Sequence, residues 1–481
     1  MKIISVDQST SASKAFVIDE GGFIAQRAAL EHRQFYPGPG RVEHDAQQIW
    51  QNVKALIDQL IDAVGADDVA AIAISNQRET TVLWDAATGE PVCPAIVWQD
   101  VRGEAACREL EAHAGRVHEV TGLPLSPYFP AGKLRSVFAE QPQLRTRAEA
   151  GELRLGTIDS YLVYRLTGGL HLTDTTNASR TQLMDLRTRA WSGEMLRLFG
   201  IPAALMPSAI LAADGDFGRY RGIPITGVLG DSHAALFGQG CHRPGMAKAT
   251  YGTGSSVMMN VGPSPVISRQ GLSASVAFSV AGRTDYALEG NVTCSGDTLV
   301  WLCHDVGLFA DPGQIEQLAA TVEDTQGVCL VPAFAGLGAP YFDSDARALL
   351  CGVNRGTTRA HIARAALESI AQQDADVLEV MRQESGYAAD CLLVDGGPTR
   401  NRLLMQMQAD LAGCEVRAAA LSELSALGAA YIAGLRTGVY ADFDAIQARR
   451  PGEQYRPAPQ PEHRAELRAR WAAAIRRART A

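Results

Sequence analysis

What this chain lacks narrows what it can be. No apolar run approaches the roughly 20 residues that cross a bilayer, so no membrane partner is expected. Positive charge is in deficit: 44 Lys and Arg against 53 Asp and Glu leave a net charge of -9. That balance disfavours general binding to nucleic acid, although basic groups can still cluster around one anionic substrate. The nine cysteines stand singly, with no Cys-x-x-Cys pair and no His–Cys cluster. This spacing excludes a zinc site and predicts free thiols in a reducing, cytoplasmic setting. No Gly-x-Gly-x-x-Gly follows the first strand-like run, which makes a Rossmann dehydrogenase a poor reading. Asp7 interrupts the apolar start almost at once, so no secretory signal is expected.

What is present is an ordinary globular composition, 46% hydrophobic and 20% charged, in 481 residues. That is too long for one core, and an N-terminal lobe over 1–243 and a C-terminal lobe over 244–481 are expected. The most informative stretch is 227–256. There Asp231 follows a strand-like apolar run and precedes a small-residue helix, a place where ligands of open α/β sheets bind. Thr253 and Gly254 then lie in a glycine- and hydroxyl-rich turn whose backbone N–H groups can approach an anion. A base beside a phosphate turn suggests phosphoryl transfer to a hydroxyl. A helix cap at Asp231 and a plain glycine hairpin would explain the same residues, and this stretch alone leaves both open.

Residues 2–18 alternate as two strands around the turn that carries Ser9, Thr10 and Ser11, and 247–262 repeat the plan. The chain therefore carries a weak internal duplication, and two such turns could grip phosphates from opposite sides. Apolar residues over 45–64 recur at helical spacing behind Asp45, a good N-cap. Arg78 and Glu79 at a strand end can donate to and accept from the hydroxyls of a polyol, or form an ion pair of small value. Trp98 could offer an apolar face to the same ligand. Residues 121–133 read as a long Pro/Gly loop in which Tyr128 is the best contact. Gly296 precedes a helix start, and Gly397 and Asn401 lie in a strand–turn–helix junction, both suited to a nucleotide. A helix over 360–385 ends at Gly386, and another over 461–480 carries Leu467, Trp471, Ala474 and Ile475 on one face.

Taken in order, several short stretches resemble the FGGY carbohydrate kinases over nearly the whole length. They are Asp7-Gln8-Ser9-Thr10, Asn76-Gln77-Arg78-Glu79, Val97-Trp98-Gln99-Asp100, Asn177-Ala178-Ser179-Arg180, Gly230-Asp231, Tyr251-Gly252-Thr253-Gly254 and Asp395-Gly396-Gly397. Within the family the chain is most similar to the glycerol kinase branch. The resemblance implies a two-lobed, actin-like (RNase H-like) α/β ATPase fold, duplicated, with the active site in the cleft between lobes. It implies Asp231 as general base, Asp7 and Asp231 as carboxylates associated with Mg²⁺, and ATP bound by Thr10, Ser11, Lys14, Thr253, Gly254, Gly296, Gly397 and Asn401. Arg78, Glu79, Trp98, Tyr128, Asp231 and Ser232 are the implied polyol-contacting set, and a homodimer is expected.

Four positions depart from the pattern: Lys14 stands for Arg, Ser9 for Gly, Val300 for Gln, and Ser232 for the Gln that follows the base. The last would open the pocket, with His233 as a possible replacement polar group. The expected activity is ATP-dependent phosphorylation of a primary hydroxyl on a small polyol. The alternatives are the same chemistry on a tetritol, pentitol or ketose, and, from another class, a catalytically weak nucleotide-binding regulator.

Overall fold

A computed structural model describes residues 1–442 and 452–479. Two mixed sheets are built on one plan. In the first, strand Lys2–Gln8 pairs antiparallel with Ala12–Ile18, which pairs antiparallel with Ile24–Glu31. On its other side Val69–Asn76 and then Ile223–Gly230 add in parallel. In the second, Ala247–Tyr251, Ser255–Gly262 and Arg283–Val292 repeat the meander, while Cys391–Gly396 and Glu415–Ala418 repeat the parallel extension. The resemblance between 2–18 and 247–262 is thus the visible trace of a shared topology.

The period-2 pattern sorts side chains to the two faces of the first sheet. Ile4, Val6, Ile72, Ile74 and Val228 pack with helices Ala46–Val64 and Ile158–Thr167. Ile3, Ala71, Ala73 and Leu229 pack with helices Asp231–Gly238 and Leu424–Thr437. Met258, Ala277 and Ala287 of the second sheet join that same cluster, so one core is shared by residues of both sheets. The Ser5 hydroxyl adds a bond to the Ala426 carbonyl at 2.7 Å across this contact.

Helix Ala46–Val64 forms where the apolar spacing placed it. The Asp45 carboxylate accepts from the N–H groups of Gln47 and Gln48 at 2.9 and 3.2 Å. Ile49, Val53, Leu56, Ile57, Leu60 and Ile61 are buried, each contributing about 1.5–3 kcal/mol. Helix Arg359–Ser385 stops at Gly386, and helix Pro461–Arg479 buries Trp471, Ala474 and Ile475; residue 480 lies outside the described residues.

One element differs from expectation. Residues 121–133 are not all loop, because helix Pro130–Glu140 begins inside them with proline at its first position. Pro there loses no hydrogen bond and arrives with helical φ, so Pro and Gly read as loop signals although the backbone is helical. No described helix is long and apolar enough to cross a membrane.

Candidate active site

Three parallel strands end side by side, and each delivers an ionisable group. Asp7 sits at the end of Lys2–Gln8, 8% exposed, with the Ser75 hydroxyl donating to it at 3.2 Å. Burial, and then the neighbouring Asp231 carboxylate, push Asp7 up to about 7 against the opposing pull of Lys14. Asp231 follows strand Ile223–Gly230 and opens helix Asp231–Gly238. Its side chain remains 34% exposed, accepts from the Ser232 N–H at 2.6 Å, and lies 3.4 Å from Arg78 Nε. Its carboxyl is raised by burial and by Glu79, with Arg78 pulling the other way. Two carboxyl groups whose charges oppose each other in a partly closed site form a place for taking up a proton or a cation.

Arg78 and Glu79 follow strand Val69–Asn76 and are 6% and 1% exposed. Both terminal nitrogens of Arg78 donate to Glu289, at 2.8 and 2.7 Å. Arg180 Nε donates to Glu79 at 2.6 Å, and Arg180 Nη1 lies 3.0 Å from Glu289. The four charges alternate and balance, which is what lets them be buried together. Burial opposes ionisation of Glu289, yet Arg180 and Arg78 hold its carboxyl well below the usual range. Glu79 adopts φ 60°, a left-handed conformation that non-glycine residues rarely hold outside constrained sites. Gly230 makes room for this arrangement: a Cβ there would stand 2.6 Å from Arg78 Cγ.

Trp98 and Tyr128 form an aromatic wall, ring centroids 5.7 Å apart and tilted by 59°. The Trp98 indole N–H donates to the Thr10 hydroxyl at 2.9 Å, joining this wall to the first hydroxyl-rich turn. Behind it the buried Lys133 donates to the Val97 and Trp98 carbonyls at 2.9 and 3.1 Å. Burial raises the Tyr128 hydroxyl far above its ordinary value, with Glu79 adding to the effect, so it is a neutral hydrogen-bonding group.

The second turn is tied to two others. The Gly252 N–H donates to the Gly254 carbonyl at 2.8 Å, and the Gly296 and Ser295 N–H groups donate back to Gly252 and Thr253 at 3.0 and 2.8 Å. Gly396, at φ 99°, is required where it stands, because a Cβ would lie 1.9 Å from the Tyr251 carbonyl oxygen. Gly397 follows in a short 3-10 turn, and Asn401 caps helix Arg402–Ala412 by accepting from the Leu404 N–H at 2.8 Å. Thr253, Gly254, Gly296 and Gly397 thus meet at the ends of adjacent strands.

Residues 2–238 match the model of the N-terminal domain of the FGGY family of carbohydrate kinases, and residues 247–436 match that of its C-terminal domain. The chain belongs to the FGGY family of carbohydrate kinases. It is 46% identical to glycerol kinase of Trichlorobacter lovleyi, over 99% of this chain and 98% of that one. With glycerol kinase 2 of Streptomyces avermitilis it shares 45%, covering 93% and 90% of the two chains. A crystal structure of Plasmodium falciparum glycerol kinase with ADP superposes at a TM-score of 0.95, with 34% identity over 99% and 98% of the chains. Ligand-bound xylulose kinase from Lactobacillus acidophilus, at 21% identity and a TM-score of 0.90, shares the fold.

In this FGGY kinase the residues singled out from sequence fall into two groups. Asp7, Thr10, Arg78, Glu79, Trp98, Tyr128 and Asp231 gather at the ends of the first sheet's strands, and the second-turn residues gather at the ends of the other's. Lys14 bridges toward the second half, its Nζ bonding both Glu423 oxygens at 3.1 and 3.0 Å. Ser11 is exposed at the edge of the first turn, and Ser232 is half-buried beside Asp231. His233 does not supply a substitute polar group: it is fully buried and engages the Ser275 hydroxyl at 3.0 Å. Sequence reasoning missed Glu289 and gave no role to Arg180 or Lys133. A glutamate directly after the apolar run Tyr286–Leu288 in strand Arg283–Val292 was the available signal for Glu289.

Proposed function

We propose that this FGGY kinase transfers the γ-phosphoryl group of ATP to a primary hydroxyl of a small polyol, glycerol in the first instance. The observation that carries the reading is Asp231, a partly open carboxylate beside the Arg78–Glu79 pair. Its relatives named glycerol kinase support it over nearly the full chain.

The roles follow from the chemistry of each group. Trp98 and Tyr128 cover the carbon side of the acceptor. Glu79 uses one oxygen on Arg180 and offers the other to an acceptor hydroxyl. Asp231 accepts the proton of the attacking hydroxyl as its oxygen bonds to the γ-phosphorus. The bond from that phosphorus to the bridging oxygen breaks, and ADP leaves with the electron pair. The turns carrying Thr10 and Ser11, and Thr253 and Gly254, present N–H and hydroxyl donors to the phosphates, and Gly296, Gly397 and Asn401 flank the nucleoside.

Asp7 and Asp231 suit Mg²⁺ because burial disfavours the charge of each, with Asp231 adding to the effect at Asp7 and Glu79 at Asp231, and a cation would relieve both. Among the described residues no cluster of three or more metal-binding side chains occurs, so phosphate oxygens and water would complete the shell. When bound, the ion neutralises charge on the ATP phosphates.

The test is ADP release with Mg-ATP and glycerol. Asp231→Asn should lower kcat by about 100- to 10,000-fold, the worth of a general base, and leave ADP binding unchanged. Near-normal turnover would reject Asp231 as the base. Ser232 favours a second reading: a short, half-buried side chain next to Asp231 leaves room for a tetritol or pentitol, and either outrunning glycerol in the same assay would establish it.

A further inference from the structure

The ring Arg78–Glu289–Arg180–Glu79 has a member from each half of the chain. Arg78, Glu79 and Arg180 lie within residues 2–238, whereas Glu289 lies within 247–436 on strand Arg283–Val292. All four are at most 6% exposed. Within the ring two positive and two negative charges cancel, and Asp231 stands outside that balance. Arg78 nevertheless has Asp231 within reach, at 3.4 Å from its Nε. What keeps Arg78 from turning fully onto Asp231 is the two-pronged hold of Glu289 on its terminal nitrogens, at 2.8 and 2.7 Å. A paired fork of this kind sets orientation as well as energy. Glu289 also touches the second hydroxyl-rich turn's strand, where the Ser256 hydroxyl donates to it at 3.4 Å.

We propose that Glu289 is a positioning residue of the acceptor site: reaching in from the second half, it fixes Arg78 and, through Arg180, Glu79, and so keeps the two terminal nitrogens of Arg78 off Asp231, leaving that carboxylate open to the acceptor hydroxyl. The inference rests on the polyol kinase reading above and adds to it that the acceptor pocket is complete only when the second sheet is docked. Without Glu289, two buried arginines would share one carboxylate, and Arg78 would take Asp231 as its counter-ion. The acceptor then loses both its clamp geometry and a free base.

The experiment compares steady-state kinetics of the wild type, Glu289→Gln and Glu289→Asp over glycerol and erythritol, varying ATP and acceptor separately. Glu289→Gln should raise acceptor KM about tenfold or more and lower kcat, with the KM for ATP within about twofold of wild type. Glu289→Asp keeps the charge but shortens the reach by one methylene, so it should fold and show the same split in smaller measure. A purely structural Glu289 would lower thermal stability and the active fraction without moving acceptor KM. Unchanged acceptor KM in the Asp variant, or parallel rises in both KM values, would overturn the inference while leaving the kinase reading intact. A wild type silent on every polyol would overturn that reading, and the inference with it.

Discussion

Replacing Gly230 by alanine tests the packing beneath the base. The added Cβ would meet Arg78 Cγ at 2.6 Å and Cδ at 2.8 Å, whereas carbon atoms rest at about 3.5 Å or more. Relief therefore needs a movement of about 1 Å. A free arginine stem would swing aside, but this one is held at its far end by Glu289 on both terminal nitrogens. The displacement must pass either into those charge-assisted bonds or into the first turn of helix Asp231–Gly238. Overpacking of this kind costs about 1–3 kcal/mol, a loss of roughly 2–4 °C in Tm per kcal/mol for a unit of this size. The functional effect should be larger, because a misplacement of about 1 Å at a reacting group can cost about 100-fold in rate. The expected result is a folded protein with Tm lowered by several degrees and kcat/KM for the acceptor lowered by about 100-fold. Kinetics and a thermal melt on one preparation decide it. A Gly230→Ala protein within about twofold of wild-type kcat/KM would refute the claim that Arg78 is immobile under the base.

Two further outcomes follow from buried charge. Asp374, on helix Arg359–Ser385 and fully buried, is pushed up to about 7 by burial, with Tyr251 and Ser255 opposing. The folded state then holds a proton that the unfolded chain releases near pH 4, so its contribution to stability is full below that pH and is lost as pH rises toward 7. Asp374→Asn should match wild type in Tm at pH 4 and exceed it by several degrees at pH 8; equal slopes of Tm against pH would refute this. Lys133→Met removes the donor to the Val97 and Trp98 carbonyls; Val97 keeps the Asp100 N–H at 3.0 Å, so the cost is about 0.5–1.5 kcal/mol per lost bond. It should lower Tm and raise acceptor KM several-fold through the loosened Trp98, and an unchanged KM would detach Lys133 from the acceptor wall.

Much of the fold was legible because local chemistry and global packing agree. Helix Ala46–Val64 has its cap, its apolar face and its terminal glycine in sequence. Asp231 and the turn around Thr253 were legible for the same reason, since both lie where a strand gives way to a turn or helix. Helix Pro130–Glu140 was not, because proline and glycine at a helix start carry the same local signal as in a loop.

By itself, the sequence determined the duplicated strand–turn–strand plan, the family, and which carboxylates and turns stand at strand ends, because these depend on neighbours in the chain. Only the tertiary structure decided what those groups touch. Arg78 and Glu79 read as a polyol clamp or as an ion pair of small value at the surface, and both are buried: Arg78 gives its terminal nitrogens to Glu289, 211 residues away, and Glu79 bonds Arg180, 101 residues away. His233 read as a spare polar group and is instead buried against Ser275. The physical reason is that a charge's effective strength depends on its burial and on the counter-charges around it, and folding brings those together from segments with no local relation.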